Sequence, residues 1–127
     1  MSAASDIAGR LASYGFGTAG TNLFVNTKPA TPDNMVAVFD YSGPAADYTH
    51  DTSGNDHPSV QVWVRNTNAG TARATIDRIY NHLDGITNTT ITTFYAGIFA
   101  NQTPELMGKD ENNRTEWAVN FTTTRRR

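Results

Sequence analysis

The sequence predicts an α+β domain: a mainly antiparallel sheet of about five strands with two helices packed on it. Three observations carry this. Apolar residues recur at helical spacing in two segments, they alternate with a period of two in others, and the longer helix falls between two runs of strands. The predicted order is α-β-β-β-α-β-β. It forms one domain over residues 1–127, with residues 1–20 as a first helix and glycine-rich turn.

Ile7, Leu11 and Tyr14 fall at i, i+4 and i+7, with Ala4, Ala8 and Ala12 beside them, which makes one apolar stripe on a short helix. Gly15 and Gly17 end it, because glycine is costly inside a helix and cheap in a turn. Leu23, Phe24 and Val25 make a brief strand closed by Pro29 and Pro32. Residues 35–41 are apolar on both sides, as in a strand covered on two faces. Val60, Val62 and Val64 alternate with Gln61, Trp63 and Arg65, so that strand has one buried face. Ala72, Ile76, Ile79 and Leu83 form the stripe of the second helix, with Asn68 or Thr71 as N-cap and Asp84-Gly85 as its stop. Residues 91–99 are β-branched and aromatic and predict a strand. Trp117, Val119 and Phe121 alternate with Glu116, Ala118 and Asn120 in the last one.

Composition removes several functions. There is no cysteine, so disulfides, thiol catalysis and zinc-thiolate sites are absent. Ten Lys+Arg against twelve Asp+Glu give a net charge of −2, unlike the basic excess of an autonomous nucleic-acid binder. No apolar run approaches membrane-spanning length, and the start MSAASDIAGRL lacks the pattern of a secretory signal. Charged residues are only 17%, so a surface of neutral polar groups repels its copies weakly. The one basic run, Arg125, Arg126 and Arg127, is expected to be a disordered tail.

Catalytic and ligand motifs do not assemble. Residues 15–20 spell GxGxxG, but a helix precedes and a strand follows, the reverse of a dinucleotide site, so a turn is expected. His50, Asp51, Asp56 and His57 lie within eight residues on a loop of turn-formers, without the i, i+4 spacing of a helical metal site. Asp40, Asp47 and His82 are the candidate acids and bases. His82 sits at a helix end, where the dipole favours its protonated form, and no nucleophile accompanies any of the three. Two stretches, 42–57 and 101–113, exceed ordinary connection length and are rich in Gly, Pro, Asp and Asn. Both are expected to be mobile and to order on a partner.

The loops and their flanking strands together carry a resemblance. Thr31-Pro32-Asp33-Asn34-Met35-Val36-Ala37-Val38, Tyr41-Ser42-Gly43-Pro44 and Asp56-His57-Pro58-Ser59-Val60-Gln61-Val62-Trp63-Val64-Arg65 precede the helix ending Leu83-Asp84-Gly85. Gly108-Lys109-Asp110-Glu111-Asn112-Asn113-Arg114 then leads to Trp117-Ala118-Val119-Asn120-Phe121. In this order and spacing the chain resembles the phage minor capsid proteins of the tail-terminator type, over roughly residues 23–123. Where members often carry glycine, this chain has Asn112-Asn113, and Asn tolerates the left-handed conformation such a turn needs.

The resemblance implies a structural virion protein at the neck of a long-tailed phage, assembled in the host cytoplasm. It implies a ring of this chain, commonly a hexamer, that caps the tail tube and joins it to the head connector. The tube protein and the head-completion or connector protein are then its partners, and DNA passes through the ring without sequence-specific binding. No cofactor, reaction or membrane is implied. Tyr48, His50, Asp51, Trp63, Arg65, Met107, Lys109, Asp110 and Arg114 are the candidate contact residues. Trp63, opposite the three valines of its strand, is expected either in or near a contact between copies or under a helix. Other readings are a head-closure, tail-completion or tube subunit, or a small-ligand-binding α+β domain.

Overall fold

Ser2 starts the first helix, α1 (Ala3–Ser13), by accepting a hydrogen bond from the Ser5 amide at 3.1 Å. The computed structural model describes residues 2–41 and 55–126. Ala4, Ile7, Ala8 and Leu11 are buried, as their spacing predicts, but Tyr14 is not part of that stripe: it lies past the helix and is 56% exposed. The GxGxxG stretch is a turn. Gly15 and Gly20 have φ of 83° and 80°, and the Thr18 carbonyl accepts from the amides of residues 21, 22 and 23.

The sheet follows. β1 (Leu23–Val25) runs parallel to β2 (Met35–Tyr41), and the other pairings between the described strands are antiparallel. β3 (Asn55–Asp56) and β4 (Ser59–Asn66) precede the second helix, α2 (Ala69–Leu83). Asn68 caps α2 by accepting from the Thr71 amide at 2.9 Å, and Gly85, with φ of 87°, follows its end. β5 (Ile86–Thr90), β6 (Phe94–Ala100), β7 (Glu105–Lys109) and β8 (Thr115–Arg126) complete the fold. The sheet order is β1-β2-β4-β8-β6-β5, with β3 and β7 paired to β8.

Register places one core. Val60, Val62 and Val64 lie opposite Phe121, Val119 and Trp117, and these join Val36, Val38, Ile98 and Tyr95 under both helices. Ile76, Ile79 and Leu83 of α2 and Ile7 and Leu11 of α1 fill the layer above. Fully burying each such side chain contributes about 1.5–3 kcal/mol. The alternate residues of β4 and β8, Gln61, Trp63, Ala118, Asn120 and Thr122, belong to the other face of the sheet.

The α+β class holds, but among the described residues the sheet has eight strands, not about five. β3 has two residues and β5 is mostly Thr and Asn, so neither shows an apolar pattern. β7 occupies the stretch expected to be a mobile loop: its backbone pairs with residues 115–118 of β8. The predicted strand 91–99 divides, because Ile91 donates to the Thr93 carbonyl in a turn and β6 begins at Phe94. Arg125 and Arg126 pair with Asp56 and Asn55 in the ladder, so the expected disordered tail is corrected at those two residues. Arg127 lies outside the described residues.

Candidate assembly surfaces

Two arginines fix the end of the sheet. Arg65 ends its run of alternating residues on β4, and its guanidinium donates to the carbonyls of Pro29 at 2.7 Å, Pro32 at 2.6 Å and Asp33 at 3.3 Å. Arg114 donates to the Ala30 carbonyl at 2.6 Å and to the Asp110 carboxylate at 2.8 Å, with Asp33 at 3.3 Å. Both are buried, so both guanidinium groups are committed to the chain's own 29–33 loop. Burial, and then the neighbouring Arg114, hold the Arg65 pKa below its ordinary value.

Asp110 organises the turn between β7 and β8. It accepts from the amides of Asn112 and Arg114 at 3.0 and 2.9 Å, and Asn113 takes the left-handed φ of 61° expected of that Asn-Asn pair. The Arg114 backbone bond leads the causes that hold the Asp110 carboxyl below its ordinary 3.8, against a smaller opposing effect of burial.

Trp63 lies on the sheet face opposite the helices. Ala37 and Ala118 flank it in register, and both are buried. Lys28 Nζ sits 4.0 Å from the ring centroid and pairs with Glu116 at 2.7 Å, while the indole N–H donates to Gln61 at 2.6 Å. A lysine, not a helix, therefore lies over the half-buried indole, which corrects the expectation of a helical cover.

At the other side of the helix layer, aromatic and cationic groups interleave. The His82 ring lies 4.4 Å from Tyr14 and 5.6 Å from Phe16, centroid to centroid. Arg10 lies 4.9 Å from the Tyr14 ring, and Arg78 lies 5.0 Å from that of Phe16. Burial first, and Arg10 second, lower the His82 pKa below its ordinary 6.5, so the expected preference for the protonated form is reversed. The unfolded chain therefore takes up this proton before the folded one. Stability is expected to fall as pH drops below 6.5 and to level off once the folded ring is protonated too. Urea midpoints measured against pH should show this slope, and His82→Phe should remove it.

Asp40 is an organiser as well. Its carboxylate accepts from the Ala4 amide at 2.8 Å and from Asn26 at 3.0 Å, which ties β2 to the start of α1. Burial works to raise its pKa, but the bonds from Asn26, Ala4 and Ser2 and the charge of Arg125 outweigh it and hold the carboxyl below 3.8.

Of the nine candidate contact residues, Tyr48, His50 and Asp51 lie outside the described residues, as does Asp47. Arg114 and Asp110 meet each other, and Arg65 meets the same loop. Met107 and Lys109 are exposed on β7, and Met107 is joined there by Leu106. Ala69, Leu106, Thr115 and Trp117 line an apolar pocket beside that strand. The Tyr14, Arg10 and Arg78 surface is not legible as a site, because Arg78 lies far along the chain from the other two. Among the described residues, no helix is long and apolar enough to cross a membrane, and no three His, Asp or Glu side chains cluster as metal ligands.

Residues 10–127 match a family model described as bacteriophage tail terminator protein. Among solved structures, a chain of "Virion of native gene transfer agent (GTA) particle" is similar, with a TM-score of 0.60 and 14% identity over 85% of this chain and 81% of that one. At that identity the likeness is one of fold. No curated protein matches the chain.

Proposed function

This chain belongs to the bacteriophage tail terminator family, and from that premise we propose that it closes into a ring, a hexamer, that ends the tail tube and joins it to the head connector. It is a structural protein of the phage tail. One observation carries the ring reading. The family match runs from within α1 through β8, so it takes in both layers of the domain and both candidate contact surfaces. A closed ring of identical copies needs two different lateral surfaces on one small wedge, and the remaining surfaces then meet the tube and the connector. The exposed side chains on β7 and the half-buried Trp63 suit such contacts. DNA passing through such a ring meets a chain of net charge −2 and is not read by sequence.

Light scattering across a concentration series tests this. The expected particle is about 83 kDa, six copies of the 13.8 kDa chain. Growth without limit identifies a tube subunit instead, and a monomer at every concentration overturns unaided ring closure. Trp63→Ala in the same assay is expected to stay folded and to lose the particle, since truncating an aromatic at an interface centre costs about 2 kcal/mol or more. A Trp63→Ala particle of unchanged mass removes this residue from the contact.

A further inference from the structure

We infer that the contact between neighbouring copies joins the helix end that carries Tyr14 on one chain to the β7–β8 hairpin of the next. This rests on the ring reading above and names the two surfaces that would meet.

Three features set the pairing. The first is position. Ala69, at the start of α2, lines the pocket beside β7, while His82, near its end, packs on Tyr14 and Phe16. The 15 residues of α2 thus separate the two surfaces by ~20 Å at 1.5 Å per residue. Two different patches at opposite ends of one helix are what a head-to-tail contact uses, whereas a two-fold dimer would bury one patch twice.

The second is charge. Arg10 and Arg78 lie over aromatic rings, and among the described residues neither pairs with a carboxylate. His82 is held toward its neutral form, so the two cations Arg10 and Arg78 outnumber the buried Asp6 carboxylate and the surface keeps a positive excess. On the hairpin, Glu105 and Glu111 are exposed and unpaired among the described residues, Asp110 is engaged by Arg114, and Lys109 leaves the remainder one charge negative. The two surfaces have opposite sign.

The third is exposed apolar area on both sides. Tyr14 is 56% exposed, and beside it Gly9, Arg10, Ser13, Ile91 and Thr92 line a recess together with Asp6. Leu106 and Met107 on β7 are 55% and 45% exposed, and a methionine against an aromatic ring is a favourable contact. The recess is also short of polar partners. Arg10 Nε and one oxygen of the buried Asp6 have none among the described residues. Among the described residues β7 pairs with β8 alone, so its other edge is open. Trp63 borders this hairpin, since Trp63, Ala118 and Glu105 stand in register across three strands.

Charge reversal tests the pairing. Arg78→Glu alters one surface and the double variant Glu105→Arg/Glu111→Arg alters the other; all three positions are exposed, and circular dichroism reports folding. Each variant alone should self-associate about tenfold more weakly than wild type, because like charges then face each other. Mixing the two variants in equal amounts should restore the wild-type mass, since alternating copies again oppose opposite charges at every junction. Met107→Glu is a further check and should also weaken association. If wild type forms the particle and both charge variants keep it, or if mixing fails to restore what each lost, this pairing is overturned and the ring stands. If wild type never associates, the ring reading falls first and the pairing falls with it.

Discussion

Arg65→Ala is expected to lower the unfolding free energy by about 3 kcal/mol, because three loop carbonyls lose a charged donor at once and a cavity replaces a buried side chain. Arg65 is 3% exposed, so its truncation opens a gap beside the carbonyls that lose their donor. Arg65→Lys should recover less than half of it, since an ammonium is a point donor and cannot span carbonyls from residues 29, 32 and 33. The measurement is the urea midpoint at unchanged slope. Arg114→Ala should be non-additive with it, because both guanidinium groups hold the 29–33 loop. A loss below about 1 kcal/mol for Arg65→Ala would mean that the loop finds other partners.

Tyr95→Phe is the second large effect. The Tyr95 hydroxyl donates to Asp6 at 2.7 Å, and Asp6 is 1% exposed with its other oxygen unpartnered. Removing the hydroxyl leaves a buried carboxylate without a donor there, at a cost of ~2–3 kcal/mol. In the Tyr95→Phe background, Asp6→Ala should restore part of the stability, because removing both partners removes the unsatisfied charge. The double-mutant cycle measures this coupling, and a coupling near zero would refute it. The same pair sets an alkaline limit. Burial first, and then Asp6, raise the Tyr95 pKa well above its ordinary 10. Above pH 10 the unfolded chain loses this proton while the folded one retains it, so the stabilisation fades as pH rises.

How much of this the sequence displays depends on the element. α2 is legible because Ala72, Ile76, Ile79 and Leu83 repeat at helical spacing between Asn68 and Gly85, and each of these signals acts locally. β4 and the first half of β8 are legible because one face of each is buried, which enforces alternation. β7 is hidden because Leu106 and Met107 are both exposed, so no alternation of burial marks it. β5 is hidden for the opposite reason: its Thr and Asn side chains have almost nothing to bury. The arginine clamp is illegible for a third. Arg65 and Arg114 are far apart in sequence and reach one loop only through the register of β4 against β8, which pairs Arg65 with Glu116. The helix-end surface fails in the same way, since Arg10, Tyr14, Arg78 and His82 meet only after two helices have docked. Tyr14 shows the limit of periodicity: it fits the stripe by spacing, but α1 ends before it.

The place of β8 has a consequence for the order of events during synthesis. This strand is 12 residues long, follows every other element in the chain, and stands mid-sheet, pairing with β3, β4, β6 and β7. Until it leaves the ribosome, β4 and β6 have no strand between them and Val60, Val62 and Ile98 have no neighbours from β8. Translation at roughly 5–20 residues per second delivers that strand last. Contacts of long sequence separation also close slowly. The domain is therefore completed only once β8 is made, with both earlier halves of the sheet waiting on one segment. In the proposed ring the same order would withhold the hairpin half of the contact, because β7 acquires its ladder partner only when β8 arrives.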